Sequence, residues 1–138
     1  MSDTITVIDT HCHIHDDTFY AKENLTLETM VSDAQQAGVE KMICVGTDVL
    51  SSEKAVQAAV EYDCLYASIA LHPHEAADMS EQDIREGVAK LDEIASRAPE
   101  RLVAIGECGL DYFYHADEEV RNRQALLLRL QLDQLNRV

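Results

Sequence analysis

All six histidines of the 138-residue chain fall in three short stretches. His11, His13 and His15 alternate with Cys12 and Ile14, His72 and His74 flank Pro73, and His115 stands apart. In extended backbone, residues i and i+2 point to the same side. His11 and His13 can therefore offer two imidazoles to one metal ion, at about 2.0–2.1 Å each for zinc. Cys12 then faces the other way and packs. His15 is expected to run out to solvent rather than join the pair as a third ligand. Pro73 stiffens the second stretch and holds His72 over the site, where it contacts a substrate, while His74 supports the loop. His115 reads as surface. A carboxylate completes the set in Gly106-Glu107-Cys108-Gly109-Leu110-Asp111. Its glycines let the backbone turn and let another group approach. Glu107 has two oxygens, enough for one ion or for a bridge between two. Asp111 is expected to orient Glu107 or a ligand from behind.

Four apolar runs must position these residues, at 5–8, 41–46, 64–71 and 102–106. Each is short and apolar on both sides, the pattern of parallel strands covered on both faces. Helical periodicity separates them. Thr26 caps a helix with Leu27, Met30, Val31 and Ala34 on one face, and Gly38 sits at its C′ position. Ser51 or Ser52 opens a second, with Ala55, Val56, Ala59 and Val60 apolar. Ser80 with Asp83 forms a near capping box for a third, carrying Ile84, Val88, Leu91 and Ala95, and Pro99 ends it. A fourth runs from about Asp117 through Leu126, Leu127, Leu130 and Leu135. This βα alternation demands right-handed crossovers and a parallel sheet. The histidines, Asp48, Glu107 and Asp111 all follow strand C-termini, the rim where such folds build active sites. The pattern fits both an open doubly wound sheet and part of a (β/α)8 barrel. No GxGxxG or phosphate-loop motif follows the first strand, which weighs against nucleotide-binding folds.

The formal charge is −15, and hydrophobic residues make up 46% of the chain. The second figure suits one folded domain rather than a disordered one. The first excludes a simple basic nucleic-acid binder. Only the last stretch is basic, with Arg121, Arg123, Arg129 and Arg137 against Asp133. A polyanionic substrate must then be met locally or through metal ions. No apolar run reaches the ~18 residues of a membrane span, and the opening MSDTITVIDTHC carries no signal-peptide pattern. Cys12, Cys44, Cys64 and Cys108 show no CxxC spacing. Free thiols in a reducing cytoplasm are expected, with no membrane partner.

Taken in order, HCH at 11–13, HPH at 72–74 and GECGLDYF at 106–113 resemble the TatD family of metal-dependent deoxyribonucleases, barrel hydrolases of the amidohydrolase-like group. The resemblance runs from about Ile8 to the last residue. It implies an α/β fold, the N-terminal four βα units of a (β/α)8 TIM barrel. Residues 1–138 would then be one half of a single hydrolase barrel, with no second domain. It also implies divalent cations, two in the intact barrel, as magnesium, manganese or zinc. His11 and His13 match the pair that binds one ion. Glu107 matches the glutamate bridging two ions, and His72 a rim histidine near the scissile phosphate. Glu107 and His72 are thus the catalytic candidates, and His11, His13 and Glu107 the metal ligands. The implied activity is hydrolysis of phosphodiester bonds in DNA, often exonucleolytic.

The chain departs from the family pattern in two places. His15 stands where many members have an aspartate. A complete barrel takes about 250 residues, and the family's later ligands, two histidines and an aspartate, have no counterpart here. A C-terminal half-barrel is the expected partner, and the chain alone is expected to be inactive. Two other readings remain at this level. One is another amidohydrolase-like hydrolase acting on a small phosphoester or cyclic amide, which GECGLDYF weighs against. The other is a half-barrel that binds metal or a partner chain without turnover.

Overall fold

The computed structural model describes residues 5–115 and 117–135. Strands and helices alternate: β1 (Val7–Cys12), α1 (Leu27–Gln36), β2 (Val39–Val45), α2 (Val49–Glu61), β3 (Leu65–Ile69), α3 (Glu81–Ala95), β4 (Leu102–Ile105) and α4 (Glu118–Leu135). Single 3₁₀ turns interrupt the loops at Asp17–Phe19, Ala21–Glu23 and Pro73–Ala77. All pairings are parallel, and the sheet order is β1-β2-β3-β4. Each unit steps one place in the same direction, as in a barrel. A doubly wound sheet reverses direction partway. The sheet also curls. In a flat sheet β1 and β4 would lie about 14 Å apart, three spacings of about 4.8 Å, with side chains standing perpendicular. Yet His11 on β1 and Glu107 just past β4 come within 3.4 Å of each other.

Local chemistry sets the helix starts. Thr26 and Thr29 form a reciprocal capping box, as do Ser80 and Asp83. Gly38 follows α1 with φ of +94°, a conformation that strains any side chain. The start of α2 differs from expectation. Asp48 is its N-cap, accepting from the Ser51 N–H at 2.6 Å, while Ser51 Oγ accepts from the Asp48 N–H. Ser52 lies inside the helix, buried, with its hydroxyl on both polar groups of Ala70. Gly46 makes this contact fit. A Cβ there would stand 2.5 Å from Ser52 Cα.

The core lies between the sheet and α2, α3 and α4. Cys44, Ala55, Leu65, Ile69, Ile84, Leu91 and Leu127 are fully buried within it. On α2 the buried face includes Ala58, whereas Val60 points to solvent. On α4, Leu127 is buried and Leu126 and Leu130 are half-buried. The side chain of Leu135, and Arg137, lie outside the described residues. Two strands are less covered than their composition suggests. Residues 7–11 of β1 are exposed, and so is Val103 on β4, while β3 is buried along most of its length. Helices pack on β2, β3 and β4, and β1 pairs with β2 alone. β1 also runs four residues further than its apolar run, so His11 and Cys12 belong to the strand itself.

Two buried glutamines of α4 hold the loops at the strand ends. Gln131 accepts from the Leu71 N–H at 2.7 Å and donates to the Leu71 carbonyl at 3.1 Å. Gln124 grips Asp111 in the same way, at 2.9 Å for each bond. They lie two turns apart with Leu127 between them, so one helix face carries both clamps. Arg123 adds bonds to the carbonyls of Ala76 and Ala77.

Candidate metal centre

His11 and His13 leave β1 on the same side, as the period of two requires. Between them Cys12 turns the other way, in register with Cys44, and its thiol donates to the Ile43 carbonyl. The Asp9 carboxylate accepts from the His11 N–H at 2.9 Å and braces the strand end. Glu107 is set by β3. Gly106 N–H donates to the Ile69 carbonyl, and Ser68 Oγ donates to the Gly106 carbonyl at 2.6 Å. Crowding is not what calls for glycine in this motif. A Cβ on Gly106 would make ordinary contact with Ser68, and one on Gly109 would meet nothing.

Ligand atoms of His11, His13 and Glu107 all lie within 4.8 Å of one another. Among the described residues this is the one group of three or more His, Cys, Asp or Glu side chains so placed. The two oxygens of Glu107 face two histidines: Oε2 is 3.4 Å from His11 Nε2, and Oε1 is 3.6 Å from His72 Nε2. His13 Nδ1 sits 2.8 Å from the Val45 carbonyl oxygen. A carbonyl only accepts, so Nδ1 carries the proton and Nε2 keeps its lone pair for a ligand bond. A cavity of about 290 Å³ adjoins the triad, lined by Thr10, Ile43, Val45, Ser68 and Ala104 besides the site residues.

His72 is fixed from behind. Its own N–H donates to the Thr47 carbonyl at 2.7 Å, and its Nδ1 accepts from the His74 N–H at 3.2 Å. A main-chain N–H can only donate, so the ring proton resides on Nε2, facing Glu107. Burial lowers the His72 pKa below the ordinary 6.5, which keeps the ring neutral. His74 Nε2 pairs with Asp111 Oδ2 at 2.6 Å, and this contact holds the Asp111 carboxyl below its usual range. Asp111 thus braces His74 rather than Glu107, and Gln124 clamps the Asp111 backbone. His115 is half-buried, with its ring edge-on to His74 at 5.7 Å.

His15 does not reach solvent. It is 6% exposed, and neither ring nitrogen has a hydrogen-bond partner among the described residues. The strand ends at Cys12 and the chain turns, with the Asp16 N–H on the His13 carbonyl, so the alternation stops before His15. His15 lines a cleft of about 360 Å³ together with Tyr20 and Ala58. Burial pulls its pKa down to about 4. Asp48 is occupied as the cap of α2. All four cysteines are free. The Cys44 thiol is held protonated by its contact with Cys12 and by burial, and burial also raises Cys108. Gln124, Gln131 and Gly46 carried no recognisable motif. The glutamines' partners lie 13 and 60 residues away, and Gly46 meets Ser52 only because the chain folds back into α2.

Comparison with known proteins gives the family and the fold. A sequence model of the family described as TatD related DNase matches residues 8–135. The metal-dependent hydrolase YabD of Bacillus subtilis is 35% identical over 126 residues, covering 91% of this chain and 45% of that protein. The 3'-5' ssDNA/RNA exonuclease TatD of Cronobacter sakazakii is 33% identical over 105 residues, covering 76% of this chain and 38% of the relative. The crystal structure of YjjV, a TatD homologue from Escherichia coli, superposes with a TM-score of 0.75 at 35% identity, covering 94% of this chain and 46% of that one. The chain spans about half the length of the curated relatives it matches most fully. Among the described residues no helix is long and apolar enough to cross a membrane.

Proposed function

The chain belongs to the TatD-related DNase family, and from that premise we propose that it is the first half of a metal-dependent hydrolase for phosphodiester bonds in nucleic acid. The convergence of His11, His13 and Glu107 carries the reading. Two imidazole nitrogens and a carboxylate oxygen suit zinc or manganese. A divalent ion bound by these residues would supply Lewis acidity, activating water and offsetting the charge of the phosphate. The chain's own residues set the stage for that chemistry. His11 and His13 present imidazole nitrogens on the same side of the strand, and Val45 fixes the ring of His13 so that its Nε2 keeps a lone pair. Glu107 would hold the ion together with them, and its oxygens face His11 on one side and His72 on the other. His72, neutral with its proton on Nε2, donates a hydrogen bond to a phosphate oxygen. His74 and Asp111 hold it at that angle.

The formal charge of −15 makes cations the natural bridge to a polyanion. Four βα units are half of a closed barrel, and the exposed β1 and β4 invite pairing. A second half-barrel would close the sheet and would supply ligands for a second ion, and no turnover is expected of the 138 residues alone. A cleavage assay on labelled single-stranded DNA with manganese tests this. The chain by itself should leave the strand intact. Adding the C-terminal half of a relative in trans should give cleavage that chelation or Glu107→Ala abolishes. Cleavage that persists in Glu107→Ala would refute the reading.

A further inference from the structure

Phe19 and Phe113 are the two phenylalanines of the chain, and neither contributes to the core. Phe19 is 71% exposed and Phe113 is 86% exposed. A phenyl ring has no polar handle, so exposure forgoes the burial that folding otherwise favours. Phe19 stands beside the metal centre, and Phe113 ends a run of ring contacts that leads to His72. Phe19 closes the 3₁₀ turn after β1, and its ring lies 5.8 Å from that of His13, tilted by 32°. Phe113 lies in the loop after β4, edge-on to Tyr114 at 4.8 Å. Tyr114 in turn packs edge-on to His74 at 5.5 Å, and His74 lies 4.5 Å from His72. The two rings therefore come from the loops after β1 and β4, the two edge strands whose ends meet at His11 and Glu107. Both loops are anchored. The Phe113 N–H donates to Asp111 Oδ1, and the Phe19 N–H donates to the Asp16 carbonyl. Arg121 sits over the ring of Tyr112, next to Phe113.

Resting on the function proposed above, we infer that Phe19 and Phe113 are stacking platforms for unpaired nucleobases on either side of the phosphate at the triad. With a formal charge of −15, the chain as a whole repels a phosphate backbone rather than tracking it. Grip on a strand must then come from ions at one phosphate and from base faces beside it. Every base has a π-face, so such platforms tolerate sequence, and only unpaired bases present that face. The ligand is a single strand, held by the bases next to the cleaved bond.

Equilibrium binding by fluorescence anisotropy, with manganese present, tests the inference. The probes are a dye-labelled single-stranded oligothymidylate with phosphorothioate links and an abasic strand of equal length and linkage. Phe19→Ala and Phe113→Ala should each weaken oligothymidylate binding roughly 5- to 150-fold. Phe113→Trp should retain binding. Neither alanine variant should alter binding of the abasic strand or calorimetric uptake of manganese. Equal binding by wild type and both alanine variants would overturn the inference. So would equal losses for the two strands. Dissociation of a dimer on Phe113→Ala, seen by sedimentation, would give the ring to a second copy and also overturn it. Manganese uptake by the wild type without oligothymidylate binding overturns the stacking role alone. Failure to take up manganese removes the functional reading and the stacking role with it.

Discussion

His11, Cys12 and His13 were legible because extended backbone alternates sides, a rule that needs nothing beyond three residues. His15 was not, because the rule stops where the strand stops. The turn at His13–Asp16 sends the ring inward. Its environment predicts an acid sensitivity. The folded-state pKa of about 4 lies below the ordinary 6.5, so the unfolded chain binds the proton more readily. Stability should rise as pH climbs between those values and level off above them, by on the order of 3 kcal/mol in total from this group. Urea melts with chelator present, at about pH 4.5 and about pH 7, should show a smaller pH difference for His15→Leu than for wild type. Parallel losses would mean that another group governs the acid limb. Asp111 is the second residue whose role needed the structure, since its partner His74 lies 37 positions away. Two-bond ¹H–¹⁵N spectra should find the proton of His72 on Nε2. Asp111→Ala should mix the two tautomers without weakening metal uptake. A wild-type ring protonated on Nδ1 would contradict the proposed donor role.

At the level of elements, the four strands, the four helices and two of the three long-helix caps could be read from pattern alone. Thr26 and Ser80 each precede an apolar period and have a partner three residues on. Asp48 read as a rim carboxylate because it follows a strand, and that position also starts a helix. Strand composition said little about coverage. Ile8 and Val103 are as apolar as Ile69, yet they are exposed, because coverage depends on what packs against the sheet. The glutamines of α4 were invisible for the same reason, since a polar residue among leucines gives no hint of a main-chain partner on a distant loop. Gln131→Leu should strand a buried N–H and a buried carbonyl at Leu71, costing about 2–4 kcal/mol. Exposed Gln82→Leu should cost under about 0.5 kcal/mol. Chemical melts of the two variants compare them directly, and equal stabilities would show that Gln131 is no clamp.

For the whole molecule, the open edges are the feature that matters. Ile8 is 59% exposed and Val103 is 50% exposed, on β1 and β4 respectively. Uncovered strand edges and apolar faces seek a partner. If a second half-barrel docks there, Ile8→Lys should block rescue of cleavage by that half in trans while leaving metal uptake intact. Undiminished rescue would place the contact elsewhere. The central claim is narrower and can be tested on the chain alone: His11, His13 and Glu107 hold one divalent ion. Calorimetric titration with manganese should give one site per chain, lost in His11→Ala and Glu107→Ala and kept in His115→Ala. Binding that survives in Glu107→Ala, or that disappears equally in His115→Ala, would contradict the account.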